Sequence, residues 1–204
     1  MIDAVADVPA GKREATKAAN RAAILAAARG VFADVGFGAA SVRDVIRRTG
    51  LATGTFYNYF PDKQSLLREI LDGAAEEARL RVSAARRGAA TIEDFVGRGF
   101  RAYYEFLAED PELFDLLRRN AGTIRALFDE PALGAGREDL RRDLDTAVAA
   151  GVLPAHDTDL MAAAMVGAGI EVGVHMLGRE PYDIDAAAQF VSGLFVAGLE
   201  RLRR

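Results

Sequence analysis

The sequence predicts an all-α protein: a small basic head of about three helices, then a larger acidic bundle of about six. Three observations carry this. Apolar residues recur at three- and four-residue spacing in one segment after another. Helix punctuation closes most segments, with Ser, Thr or Asp before and Gly or Pro after. Charge is also split. Residues 11–70 hold ten Lys or Arg against five Asp or Glu, whereas residues 71–204 hold sixteen against twenty-three. The three lysines, Lys12, Lys17 and Lys63, all lie in the first part. No strand pattern, internal repeat or low-complexity linker stands out. The domain expectation is a disordered tail over 1–14, a head over 15–61 and a body over 62–204.

The first helix is expected over about 16–35. Ile24, Ala27, Ala28, Val31, Phe32 and Val35 form its apolar stripe, and Gly36 and Gly38 close it. Lys12, Arg13, Lys17 and Arg21 near its start serve either phosphate contact or a solvated face. Ser41 and Asp44 then make a capping box, in which the serine oxygen accepts the third helical N–H and the carboxylate reaches back. Val42, Val45 and Ile46 share the apolar face of the short helix that follows. Thr49-Gly50-Leu51 breaks it, glycine being the residue a tight interhelical turn tolerates best. A second short helix is expected over 53–59, stopped by Pro61. Two short helices joined by such a turn are the helix-turn-helix pattern, whose second helix enters the DNA major groove. Thr53, Gly54, Thr55 and Asn58 lie at or beside the start of that second helix, where N–H groups favour phosphates. Ser41 and Arg43 open the preceding helix, within reach of the flanking backbone.

The wording of this stretch is more specific than its spacing. Gly54-Thr55-Phe56-Tyr57-Asn58-Tyr59-Phe60, then Asp62-Lys63 and Leu66-Leu67, closely resembles the recognition helix and following helix of the tetracycline-repressor (TetR) family, over roughly residues 17–70. The resemblance implies a helix-turn-helix head, a helical body and a homodimer on palindromic operator DNA. It also implies DNA contacts by Tyr57, Tyr59 and Lys63. Thr53 and Asn58 replace the family's usual basic or serine residue and its common histidine, changes that bear on which bases are read rather than on the fold.

The body opens with a helix over about 62–86, continuous with the head and carrying Leu66, Leu67, Ile70, Leu71, Ala74, Ala78 and Val82 inward. Thr91 with Asp94 caps the next, to about 108. Asp110-Pro111 starts another, with the proline at its first helical position, and a short helix is expected over 122–128. The stretch 131–136 reads as a break; Gly134-Ala135-Gly136 is too short for a phosphate loop. A helix over 137–150 stops at Gly151, with Pro154 beyond. Asp157 and Asp183 open the last two. Both are rich in small residues, including Ala168, Gly169, Gly173, Gly193 and Gly198. A helical glycine costs ~1 kcal/mol relative to alanine, so close helix approach should compensate. That approach lies either within one subunit or across a symmetric four-helix seam; the family resemblance favours the seam.

The body holds more aromatics than a bundle seam needs. Phe100, Tyr103, Tyr104, Phe114 and Phe128, with Met165, either fill the core or line a cavity, and the resemblance favours the cavity. Asn120, Glu171 and His175 are the sparse polar groups that could orient a guest, hydrophobic or amphipathic and cationic if Glu171 faces it.

Composition excludes several classes. There is no cysteine and there are only two histidines, so metal sites and Cys/His nucleophiles have little support. No GxSxG, P-loop or GxGxxG motif occurs. Catalytic residues, metals and cofactors are all expected to be none. No signal-peptide core precedes the head, and the longest apolar run, 161–170, is short of the ~20 residues of a membrane span, so a cytoplasmic chain without a membrane partner is expected. The expected function is a ligand-responsive transcriptional repressor with double-stranded operator DNA, a second copy of itself and a small-molecule effector as partners. The rival class is an all-α enzyme or small-molecule carrier using the body cavity. A nonspecific DNA-packaging role sits poorly with the overall charge of −4.

Overall fold

The computed structural model describes residues 10–127 and 131–202. Among the described residues the regular structure is entirely helical, in ten helices: α1 Ala10–Val35, α2 Val42–Thr49, α3 Thr53–Tyr57, α4 Lys63–Arg86, α5 Ile92–Glu109, α6 Pro111–Arg119, α7 Ala121–Arg125, α8 Pro131–Ala149, α9 Thr158–Leu177 and α10 Ile184–Arg201. The fold divides into two compact units, one up to Ile70 and one from Leu71. The helix α4 runs unbroken across that boundary.

In the head unit the predicted caps form. Ser41 Oγ accepts from the Asp44 amide at 3.3 Å, and the Asp44 carboxylate accepts from the Ser41 amide at 2.9 Å. Gly50 sits at φ 67°, the left-handed conformation that lets the chain turn sharply from α2 toward α3. Buried residues here are Ile24, Ala28, Val31 and Phe32 of α1, Val45 of α2, Phe56 and Phe60 around α3, and Leu66 and Leu67 of α4. Each large apolar side chain contributes ~1.5–3 kcal/mol by leaving water.

Several expectations need correction. The chain is already helical from Ala10, so the expected tail does not extend to residue 14; Lys12, Arg13 and Glu14 are good helix formers and α1 continues through them. Residues 1–9 lie outside the described residues, as do Arg203 and Arg204. Val35 is 54% exposed, because it is the last residue of α1 and faces away from the core. The second short helix ends at Tyr57 rather than Tyr59, with Asn58 as its C-cap.

In the body unit Thr91, Asp110, Asp157 and Asp183 all act as N-caps, each accepting a backbone N–H. The expected break over 131–136 is instead the first turn and a half of α8. Pro131 takes the first helical position, where its missing N–H has no partner to lose. Asn120 is both the C-cap of α6 and the N-cap of α7, which makes α7 a separate helix. The main core is built by Val96, Phe100 and Tyr104 of α5, Leu140 and Leu144 of α8, Met165 and Met176 of α9, and Val191, Val196 and Leu199 of α10. By length and composition α9 could cross a membrane, with mean hydropathy 1.6 over 18 residues of which 28% are buried. Requiring an unbroken apolar run missed this, because Glu171 and His175 interrupt it.

Candidate DNA interface and ligand cavity

The head presents a polar face built by α1, α2 and α3. Thr53, Gly54, Tyr57 and Asn58 are exposed, Thr55 is half-buried, and Tyr57 has 54% of its surface open. Phe56 and Phe60, from the same short stretch, are fully buried. Alternate members of one turn therefore anchor it and display it. Tyr59 is half-buried, and its hydroxyl accepts from Asn20 Nδ2 at 3.3 Å, which ties the chain after α3 to α1. A groove lined by Lys12, Arg13, Thr16 and Lys17 of α1 also takes in Asn58 and Tyr59. The basic start of α1 thus joins the α3 region in one surface. Ser41 and Arg43 are exposed at the head of α2. Hydrogen bonds from the Ser41 side chain and then its backbone, with Arg47, hold the Asp44 carboxyl at about 2.

Lys63 is bonded within the head. Its ammonium donates to the carbonyls of Phe37, Gly38 and Ala40 at 2.8, 3.4 and 2.9 Å, and it lies 4.5 Å from the Phe37 ring centroid. An ammonium has three donors, and all three are occupied within the protein. Lys63 braces the α1–α2 connection instead of pointing a free charge outward.

The body unit holds a half-open cavity of about 330 Å³ lined mainly by α4, α5, α8 and α9, with Leu117 of α6 and Ile124 of α7. Phe100, Tyr103 and Met165 line it as expected, with Leu71, Ala78, Phe106, Leu107 and Ile170. Burial pushes the Tyr103 hydroxyl up to about 12, so it stays neutral. The other expected lining residues are elsewhere. Tyr104 is fully buried in the core beside Phe100 and Tyr103, with its hydroxyl unpartnered. Phe114 is off the lining. The Asn120 side chain donates to Leu116 O at 2.7 Å, holding the α6–α7 joint. Glu171 and His175 are exposed on α9, and His175 Nε2 meets the Arg179 guanidinium. Four residues apart on a helix they do share a face, but it is the outer one. Phe128 lies outside the described residues. The cavity's polar groups come instead from α4 and α8: Arg79, Ser83, Arg86, Arg137, Asp139, Arg142 and Asp143. Arg79 bridges to Asp139 at 2.8 Å. Among the described residues no group of three or more His, Cys, Asp or Glu could hold a metal ion.

Residues 24–77 match the family of bacterial regulatory proteins known as tetR. Over those residues the chain is of the TetR type. An uncharacterized helix-turn-helix-type transcriptional regulator of Haemophilus influenzae is 30% identical over 123 residues, 60% of this chain and 58% of its own length. This chain therefore spans less than two thirds of that relative. Among solved structures, the fatty acid degradation regulator FadR of Bacillus halodurans superposes with a TM-score of 0.75 at 23% identity, covering 88% of this chain and 96% of its own. FadR of Bacillus subtilis, solved in complex with stearoyl-CoA, gives 0.74 at 23% identity, with 87% and 98% covered. A TetR-family regulator of Pectobacterium atrosepticum gives 0.62 at 28% identity, with 92% and 94% covered.

In the body unit, sequence reasoning missed Arg86 and the α8 charges. Arg86 stands in Arg86-Arg87-Gly88, which reads as ordinary helix-end punctuation. No local pattern says that α8, some fifty residues on, lies opposite it. The apolar α4 positions Leu71, Ala74, Ala78 and Val82 were visible as a stripe, and they form the cavity's α4 wall.

Proposed function

We propose that this TetR-family regulator is a homodimeric repressor that binds a palindromic operator and is released by a small hydrophobic or amphipathic ligand in the body cavity. On this reading residues 15–61 form the DNA-binding head, residues 62–204 form the ligand-binding and dimerisation body, and the protein acts in the cytoplasm. The observation that carries the reading is the display of Asn58 beside the basic start of α1, with exposed Tyr57 next to it, on a turn whose Phe56 and Phe60 are buried. Ser41, Arg43, Thr53, Gly54 and Thr55 extend that surface. Lys63 acts through the α1–α2 connection. The helix α4 links the two units, so a guest against its Leu71, Ala78 and Val82 can bias the heads. It does so only by binding the DNA-incompetent arrangement more tightly. FadR's complex with stearoyl-CoA makes fatty-acyl compounds a sensible first panel.

The test has two stages. Sequences selected from random DNA by the full-length protein should contain an inverted repeat, with half-sites one helical turn apart (~34–36 Å). Binding should fall steeply with salt. Tyr57→Ala and Asn58→Ala should each lose affinity by about tenfold or more while the melting temperature holds. Unchanged affinity in both folded variants would overturn the interface. A ligand that raises the melting temperature without releasing DNA would overturn induction and favour the carrier reading.

A further inference from the structure

We infer that the cavity takes an amphiphile with an anionic head, and that Arg86 is the residue that receives that head. This rests on the ligand-cavity reading and names the ligand's chemical class.

Arg86 lines the cavity from the last turn of α4. Its Nε is buried and has no hydrogen-bond partner. The guanidinium lies against the Phe95 ring, with Cζ 4.8 Å from the centroid. That contact holds the fork in place and satisfies none of its donors. Arg86 as a whole is half-buried, and a buried guanidinium nitrogen left without a partner is costly to keep. The neighbouring charges do not relieve it. Arg79 is bonded to Glu76 and Asp139, and Arg142 to Asp139. Asp143 on α8 attracts Arg86 at a distance without a hydrogen bond, and burial still pulls the guanidinium down to about 10. It therefore remains charged at neutral pH. With Arg137, the lining carries four arginines against two aspartates, a positive balance in an otherwise apolar chamber.

The backbone has been cleared for this group. A Cβ at position 99 would stand 2.6 Å from Arg86 Nε and 2.9 Å from Arg86 Nη2. Only glycine on α5 leaves the fork where it is. The rest of the lining, including Phe100, Phe106 and Met165, suits an alkyl or aryl tail. An oxyanion on the Arg86 fork would form charge-assisted hydrogen bonds, among the strongest available to a side chain. The head can be a carboxylate or a phosphate; both present oxygens to the same fork.

The experiment titrates dodecanoate, dodecyl phosphate, dodecanol and dodecyltrimethylammonium into the full-length protein by calorimetry. The same probes are then scored for operator release. Wild type should bind at least one of the two anions about tenfold or more tightly than dodecanol. Dodecyltrimethylammonium should be weakest. Arg86→Gln should erase the preference and leave dodecanol binding within about twofold. Gly99→Ala should displace the flexible arginine tip and weaken anion binding too, while Arg86→Lys should restore part of it. If Arg86→Gln does not fold, Gly99→Ala carries the comparison. Equal binding of dodecanol and both anions, failure of all probes to bind, or a preference that survives both substitutions would overturn the inference. Anion binding through Arg86 without operator release would leave the site standing and sink the repressor mechanism. Release by dodecanol as readily as by the anions would do the reverse.

Discussion

A single side chain can be read two ways until its donors are counted. Lys63 is the clearest instance. As a surface cation at a helix start it would contribute only to DNA affinity. Bonded to three carbonyls of the α1–α2 connection, it also holds α2 against the head. Lys63→Ala should therefore lower the stability of the head by about 1–2 kcal/mol, since hydrogen bonds from a charged donor exceed neutral ones. Operator affinity should fall along with it. Chemical denaturation of the variant decides the point: unchanged stability with weaker binding would return Lys63 to the phosphate-contact role. Ser41 and Asp44 offer a second test. The Asp44 carboxyl is held at about 2, below the usual 3.8, chiefly by its bond from the Ser41 side chain. A depressed folded pKa stabilises above the unfolded value. The cap therefore contributes fully above about pH 4 and fades as pH falls toward 2. In Ser41→Ala the Asp44 pKa, followed by NMR, should move back up; a value that stays near 2 would assign the shift to the backbone N–H at position 41 and to Arg47 instead.

At the level of whole helices, the glycines of the body do not form one class. Gly169 and Gly173 of α9 face α5 closely. A Cβ at 169 would stand 3.2 Å from Phe100 Cε1, and one at 173 would stand 2.9 Å from Leu107 Cδ1. Those two explain themselves by packing inside one subunit. Gly136 of α8, Gly167 of α9 and Gly193 and Gly198 of α10 have nothing within 4 Å of an added Cβ. Gly173→Ala should cost about 1–3 kcal/mol by overpacking. Gly136→Ala should instead raise stability by up to about 1 kcal/mol, because alanine is the better helix former and there is room for it. Thermal melts of the pair check both signs. A destabilised Gly136→Ala would mean that this part of the chain needs glycine for something other than α8.

For the assembled molecule, the open face of the last two helices matters most. Phe190 and Leu194 of α10 are 62% and 61% exposed, and Leu160 of α9 is 67% exposed. Gly193, Ala197 and Gly198 are exposed between or beyond the two α10 side chains. Large exposed apolar groups interleaved with small ones at helical spacing suit a close helix–helix seam. Under the proposed homodimer, Phe190→Glu together with Leu194→Glu should yield a folded monomer in sedimentation equilibrium. Its operator affinity should drop by about two orders of magnitude or more, because the second half-site is no longer tethered. A variant that stays dimeric would place the seam elsewhere.

The helices, their caps and the helix-turn-helix could be read from the residues alone, because each depends on neighbours within a few positions. Ser41 with Asp44, Gly50, Asp110-Pro111 and Asp157 are local chemistry, and they act where they were expected to. The alternation of buried Phe56 and Phe60 with exposed Tyr57 follows from the same short-range geometry. Pro131 shows the limit of local reading, since a proline before two glycines suits both a break and a first helical turn, and only the course of the chain tells them apart. The cavity was legible in its apolar half, where Phe100, Tyr103 and Met165 fall on inward stripes. Its polar half was not. Glu171 and His175 share a helix face, but the tertiary packing turns that face outward. Arg86 sits among arginines at a helix end, and it becomes singular only when Gly99 of α5 and Asp143 of α8 are brought beside it. Desolvation and charge pairing depend on what lies across space, and no periodicity along the chain encodes that.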